Sequence, residues 1–279
     1  MNVIKLRSML NEFYNEDIGD CDLTSESIFT IHEIGELTFI AKQTGIFCGG
    51  VVIKEGFKVV DSDVSVSMRI QDGDRVKVGD ILAVAKGRVQ SLLKSERVIL
   101  NLVQRMSGIA TLTAEAILRI NGTNAKICDT RKTMPGIRML DKYAVAAGGG
   151  VNHRKGLYDA VMIKDNHISF AGSIANAIQK VREKVGHIVK VEVEIESKEQ
   201  LIEAIEHNAD IIMFDNCVPE QIQNWLPLVP SWIASEASGN ITLDNLRAYA
   251  ETGIQYISLG CLTHSVKAFD ISARVKINS

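Results

Sequence analysis

The chain has 279 residues, of which 46% are hydrophobic and 23% charged. Lys and Arg number 31 against 34 Asp and Glu, for a formal net charge of −3. This usage excludes disordered, collagen-like and disulfide-scaffold classes. It also excludes a chain-wide electrostatic grip on nucleic acid, so any anion site must come from local clustering of basic residues.

Val3, Leu6, Leu10 and Phe13 share one helical face. Leu37, Phe39 and Ala41 alternate, as do Val64, Val66, Met68 and Ile70, and both stretches read as strands. Asp72-Gly73-Asp74 and Gly79-Asp80 are turn signals. They give the stretch to Leu82 the look of the hairpin in biotinyl and lipoyl carrier domains. Such a carrier needs an acceptor lysine on the following hairpin, and Val89 stands there instead. A carrier role is set aside in favour of a scaffold sandwich. Residues 89–119 read as one or two helices, with Leu92, Ile99, Val103, Met106 and Ala110 on the apolar stripe. Arg97, Asn101, Gln104, Arg105 and Gly108 run along another face.

From residue 123 a unit repeats: an apolar, strand-like run ends in a polar cluster, and a helix follows. The runs are Ala125–Cys128, Ala160–Ile163, Ile188–Ile195, Ile211–Phe214, Trp232–Ala234 and Tyr256–Leu259. Ser173, Ser197 and Thr242 are candidate helix N-caps, Pro219 suits a first turn, and Gly253 suits a stop. Strand–helix alternation means a parallel sheet. Six such units fit a closed or nearly closed barrel, whose polar strand ends gather on one face. An open dinucleotide-binding sheet would need G-x-G-x-x-G after its first strand, which Gly148-Gly149-Gly150 does not supply.

The polar ends carry the chemistry. Arg131, Lys132, Arg138, His153, Arg154, Lys155 and Lys164 crowd together, as a multiply anionic substrate requires. Glu192, Glu194 and Glu196 alternate along one strand, so all three are expected to face the barrel interior. With Asp215 they could hold Mg²⁺ or meet a developing positive charge. Ser238-Gly239-Asn240 and Gly260 follow the last two strands, where barrels commonly bind phosphate.

The stretches Gln104–Thr111, Asp129–Thr133, Gly148–Arg154 and Ile163–His167 closely resemble the quinolinate phosphoribosyltransferase family. Weaker matches run through Val191–Glu194, Phe214–Asn216, Glu236–Gly239 and Leu259-Gly260. The resemblance implies an α/β chain. An N-terminal α/β sandwich would span 1–108, with a strand or helix from 267–279 possibly returning to it. An incomplete (βα) barrel would span 109–279. The implied reaction joins quinolinate and phosphoribosyl pyrophosphate into nicotinate mononucleotide, pyrophosphate and CO₂, with Mg²⁺, as a step of NAD biosynthesis. Under that resemblance Arg131, His153, Arg154 and Lys164 clamp the quinolinate carboxylates. Lys132 contacts phosphoribosyl pyrophosphate. Glu194 and Asp215 hold metal and ribose, and Ser238, Gly239, Asn240 and Gly260 take the 5′-phosphate. The family is homodimeric, and Arg97 of Ser95-Glu96-Arg97 would reach the partner's site.

Cys21, Cys48, Cys128, Cys217 and Cys261 form no Cys-x-x-Cys pair, and the histidines show no metal spacing. A disulfide frame or structural zinc is therefore not expected. No apolar signal core or membrane-length run occurs, so a cytoplasmic protein without membrane or nucleic-acid partners is expected.

Overall fold

The computed structural model describes residues 1–277. Its first stretch runs α1 (Val3–Ile18), α2 (Leu23–Ile28), β1 (Ile34–Ala41), β2 (Gly45–Ile46) and α3 (Gly50–Val60). Next come β3 (Ser65–Met68), β4 (Arg75–Val76), β5 (Ile81–Arg88) and α4 (Val89–Arg119). After that lie β6 (Lys126–Cys128), α5 (Arg138–Ala147), β7 (Val161–Ile163), α6 (Asp165–Ala171) and α7 (Ile174–Arg182). They are followed by β8 (Val191–Ile195), α8 (Lys198–Glu206), β9 (Ile211–Asp215) and α9 (Pro219–Trp225). The chain closes with β10 (Ala234–Ser238), α10 (Leu246–Ala250), β11 (Tyr256–Ser258), α11 (Cys261–His264) and β12 (Ile271–Ile277).

The chain divides into two compact units. The first comprises Met1–Ala114, Met134–Gly149 and the C-terminal stretch from Ser265, so it holds α5 and β12. Its antiparallel sheet has the order β12-β1-β5-β3. Strand β12 returns from the C-terminal end to pair along the whole edge of β1, from Ala41↔Ile271 onward. Residues 278 and 279 of the expected returning segment lie outside the described residues. On the buried face, Leu37, Phe39 and Ala41 are fully enclosed. Phe39 meets Phe57 of α3 edge-on, with ring centroids 6.2 Å apart.

The stretch between the turn glycines does not form the expected hairpin. The β4 strand pairs with β2, while β3 pairs with β5. Gly73 and Gly79 each take the left-handed backbone that lets the chain double back between them. Val89 is the first residue of α4 and is buried. No acceptor hairpin follows β5, and the carrier reading fails.

Helix α4 is a single continuous helix of 31 residues. Its stripe at Leu92, Ile99, Val103, Met106 and Ala110 is buried. The polar face is largely engaged within its own unit. Arg105 forms a two-pronged ion pair with fully buried Asp141 at 2.8 and 2.9 Å, and Gln104 Nε2 donates to the Ile271 carbonyl. Gly108 is forced by packing, because a Cβ there would sit 2.2 Å from the Lys267 carbonyl oxygen.

The second unit, Glu115–Thr133 with Gly150–His264, holds a six-stranded parallel sheet in the order β6-β11-β10-β9-β8-β7. Strands β7 to β11 neighbour one another in chain order, and β6 pairs with β11. The ring is thus complete except for a seam between β6 and β7. This is the incomplete barrel that the alternating pattern predicts. Val191, Val193 and Ile195 are fully buried. The glutamates between them point the other way, as the two-residue period requires. Ser173 and Ser197 cap α7 and α8 as expected, accepting from Asn176 N–H and Gln200 N–H. Pro219 opens α9.

Three local readings are corrected. Thr242 is no cap: α10 begins at Leu246, and it is the Asn245 side chain that accepts the Thr242 N–H. Glu196 does not face the interior, because β8 ends at Ile195 and Glu196 is exposed. The fifth barrel strand lies later than its apolar run suggests, over Ala234–Ser238, where it pairs residue by residue with Ile211–Asp215. Among the described residues, no helix is long and apolar enough to cross a membrane.

Candidate active site

A cleft of about 630 Å³ opens in the second unit at the C-terminal ends of its strands. The polar clusters that end β6 through β11 all reach it. Arg131 and Lys132 follow β6, and Lys164 follows β7. Glu194 lies on β8 and Asp215 on β9, Ser238 to Asn240 close β10, and Gly260 follows β11. His153 and Arg154 enter from the loop before β7. Arg131, Lys132, His153, Arg154, Lys164, Glu194, Asp215, Ser238, Gly239, Asn240 and Gly260 therefore line one cavity, whereas Lys155, Glu192 and Glu196 are not among its lining residues. Arg97 belongs to the first unit, exposed on α4, and Arg138 opens α5.

One wall is cationic. The Arg131 Nε is buried without a hydrogen-bond partner. Arg154 anchors itself by donating from Nη1 to the Ala160 carbonyl at 3.1 Å. Burial and then the neighbouring Arg131 charge pull its pKa below the usual guanidinium range. Two guanidinium groups that repel each other, one with an unsatisfied donor, form a wall complementary to anions.

The ends of β8 and β9 bring carboxylates to the same cleft. Glu194 is ion-paired with the Lys164 ammonium. Burial raises the Glu194 pKa, the Lys164 bond opposes that rise, and the charges of Asp215 and Glu192 add to it. Asp215 Oδ2 accepts from Asn216 Nδ2 at 2.8 Å.

Below these lies a buried group that joins the expected Glu192 and His153 to Glu236 and Ser258, which strand-end reasoning missed. Glu236 and Ser258 sit inside β10 and β11, and Glu192 inside β8; all three are buried. His153 Nε2 lies 3.1 Å from Glu192 and 3.6 Å from Glu236. Its Nδ1 accepts the Arg154 N–H at 2.7 Å, so the proton facing the glutamates is on Nε2. Ser258 Oγ donates to Glu236. Burial, followed by the Glu192 charge, raises the Glu236 pKa to about 7. Asp129, also fully buried, accepts from the His153 N–H at 2.9 Å and the Asn152 amide at 2.6 Å, which fixes the loop that carries His153. The signal available in the sequence was the alternation Ser235-Glu236-Ala237-Ser238, which has the same two-residue period as Glu192 and Glu194.

Hard-cation chemistry can be tested against the side chains present. Among the described residues, the ligand atoms of His153, Glu192 and Glu236 come within 4.8 Å of one another, but His153 Nε2 already engages Glu192 by a hydrogen bond and Glu236 already accepts from Ser258. Glu194 and Asp215 instead line the open cleft. They offer oxygen donors whose mutual repulsion a cation would relieve. That suits Mg²⁺, which commonly takes one or two carboxylates and completes its shell with water and substrate phosphate.

A parallel (βα) ring whose C-terminal edge holds a cationic wall together with carboxylates defines an enzyme for multiply anionic substrates. The comparisons give the family. Residues 109–274 match the C-terminal domain of quinolinate phosphoribosyl transferase, and residues 22–107 its N-terminal domain. The chain is 53% identical to a probable nicotinate-nucleotide pyrophosphorylase [carboxylating] from Bacillus subtilis, over 100% of this chain and 96% of that one. It is 38% identical to quinolinate phosphoribosyltransferase [decarboxylating] 1b from Nicotiana tabacum, over 97% of this chain and 82% of that one. The crystal structure of NadC from Streptococcus pyogenes superposes with a TM-score of 0.96 at 37% identity, covering 100% of this chain and 99% of that one. The chain belongs to the quinolinate phosphoribosyltransferase family.

Proposed function

We propose that this chain transfers the phosphoribosyl group of phosphoribosyl pyrophosphate to the ring nitrogen of quinolinate, with loss of CO₂. The products are nicotinate mononucleotide and pyrophosphate, in NAD biosynthesis. The names of the relatives, carboxylating and decarboxylating, describe one reaction from its two ends.

The observation that carries the reading is the unpartnered Arg131 Nε beside Arg154, lining one cavity with Glu194 and Asp215. A dianionic acceptor and a sugar that becomes cationic need groups of opposite charge, and the cleft has both. Arg131, Arg154 and Lys164, with His153, hold the two carboxylates and turn the ring nitrogen toward the ribose. His153 orients the clamp through a ring already fixed at both nitrogens. As the bond to pyrophosphate breaks, C1 of the ribose takes on positive charge. Glu194 and Asp215 bind the ribose hydroxyls and stabilise that charge. Lys132 neutralises the departing pyrophosphate, and Ser238, Gly239, Asn240 and Gly260 take the 5′-phosphate on backbone N–H groups. Glu194 and Asp215 would hold Mg²⁺, which would supply further charge neutralisation. Once the nitrogen is alkylated, its adjacent positive charge stabilises the electron pair left at C2 when the C2–carboxylate bond breaks and CO₂ departs. A proton from water then takes the place of CO₂ at C2, so no general base is needed for that step.

The working unit in this reading is a homodimer in which Arg97 of one subunit serves its partner's cleft. The exposure of Arg97 supports this, as does its absence from the residues lining the cleft of its own chain. Five free cysteines suit a reducing compartment such as the cytoplasm. The test is direct: quinolinate, phosphoribosyl pyrophosphate and Mg²⁺ should yield nicotinate mononucleotide, followed by its ultraviolet absorbance. Failure to form it with all three present would overturn the reading.

A further inference from the structure

Asn216 has no role in the reading above and is not itself among the cleft's lining residues, yet it makes a dense set of contacts to residues that are. It follows Asp215 at the end of β9 and has a left-handed backbone, with φ of 54°. Its N–H donates to the Ser238 carbonyl at 2.9 Å. Its side-chain Nδ2 donates to Asp215 Oδ2 at 2.8 Å, and its Oδ1 accepts from Asn240 Nδ2 at 3.0 Å. It also fills the space beside Gly239, where a Cβ would lie 2.3 Å from Asn216 Oδ1 and 2.6 Å from its backbone nitrogen. One residue thus touches the carboxylate on one side and all three residues of the loop on the other. Asn240, itself left-handed at φ 53°, is tied onward through its carbonyl to the Asn245 side chain at 3.2 Å.

We propose that Asn216 is a positioning residue that couples the Asp215 carboxylate to the Ser238–Asn240 loop, holding the ribose-binding and phosphate-binding halves of the cleft at one fixed spacing. The inference rests on the reading that these two halves grip phosphoribosyl pyrophosphate. In that substrate the ribose hydroxyls and the 5′-phosphate are joined by a few covalent bonds, so their separation varies little. A site that fixes its two grips at the matching spacing avoids ordering them on binding. An asparagine suits the position: it tolerates the left-handed backbone and carries both a donor for a carboxylate and an acceptor for an amide.

The test uses Asn216→Gly, Asn240→Gly and the double variant, because glycine keeps the left-handed backbone at both positions. Binding of phosphoribosyl pyrophosphate with MgCl₂, and separately of quinolinate, is measured by calorimetry alongside steady-state kinetics and Tm. In Asn216→Gly, phosphoribosyl pyrophosphate affinity and kcat should each fall roughly 10- to 100-fold. Quinolinate affinity should stay within about twofold and Tm within a few degrees. Asn240→Gly should have a smaller effect of the same kind, and the double variant should be no worse than Asn216→Gly, since Asn240 acts through Asn216. Unchanged phosphoribosyl pyrophosphate affinity in Asn216→Gly would overturn the proposal. So would equal losses for both substrates, or effects that add in the double variant. If Asn216→Gly does not fold, Asn240→Gly decides: weaker phosphoribosyl pyrophosphate binding supports the coupling, and unchanged binding overturns it. A wild-type chain that binds phosphoribosyl pyrophosphate but ignores quinolinate would sink the acceptor assignment alone. One that binds no phosphoribosyl pyrophosphate would sink both.

Discussion

The Lys164 ammonium, just beyond the end of β7, is ion-paired with the Glu194 carboxylate on the adjacent strand β8. The pair joins the cationic wall of the cleft to its acidic wall. In the proposed reading, Lys164 serves a substrate carboxylate and Glu194 serves the ribose. Each holds the other in place until the substrates arrive.

Glu194→Gln removes the charge and keeps the shape. The charge matters most when the ribose becomes cationic, so kcat should fall about 100-fold or more. The quinolinate KM should change only a few-fold. Steady-state kinetics with each substrate varied in turn checks this. A raised quinolinate KM with intact kcat would contradict the assigned role.

Nicotinic acid lacks the second carboxylate of quinolinate. Losing one charge-assisted contact costs about 1.5–3 kcal/mol, and leaving a buried donor such as Arg131 Nε unpaired adds to that. Its kcat/KM should be at least about tenfold lower than that of quinolinate. Comparable turnover of the two acids would contradict the two-carboxylate clamp.

Glu236 predicts a pH effect on stability. Its ordinary pKa is 4.5, and in the folded chain it rises to about 7. Between these values the folded state keeps a proton that the unfolded state has lost. Stability is therefore full below the lower value and falls as pH rises through the window. Glu236→Gln mimics the protonated acid beside Glu192 and His153 and still accepts from Ser258. At pH 8 this variant should be more stable than wild type, by at most about 3 kcal/mol. At pH 4.5 the difference should shrink toward zero. Melting curves across that range check the sign, and a variant that loses stability relative to wild type as pH rises would contradict it.

Arg97→Ala and Lys164→Ala should each be nearly inactive. Mixed and re-equilibrated, about half the dimers are heterodimers, and each of these holds one intact site if Arg97 serves the partner. Activity should then climb toward about a quarter of wild type. If it stays at the parental level while native mass spectrometry shows heterodimers, the shared site is ruled out.

The barrel was legible because apolar runs stop at polar clusters, and a parallel ring gathers such stops on one face. Arg131, Lys164 and Asp215 were found on that basis. Strand β10 was placed too early because its register is set by pairing with Ile211–Asp215, whereas its own apolar run, Trp232–Ala234, lies upstream. Glu236 was lost with it. The meeting of His153 with Glu192 and Glu236 is tertiary, since it joins a loop to two strands, and nothing local announces it. Glu196 was misplaced for the opposite reason: the period of two continues in the sequence after the strand has ended at Ile195.

The central claim is that one cleft couples phosphoribosyl transfer to loss of the C2 carboxylate. Quinolinate labelled with carbon-14 in that carboxylate tests it most directly. With phosphoribosyl pyrophosphate and Mg²⁺, labelled CO₂, pyrophosphate and nicotinate mononucleotide should appear in equal amounts, and omitting phosphoribosyl pyrophosphate should abolish all three. Release of labelled CO₂ without phosphoribosyl pyrophosphate, or mononucleotide that retains the label, would contradict the account.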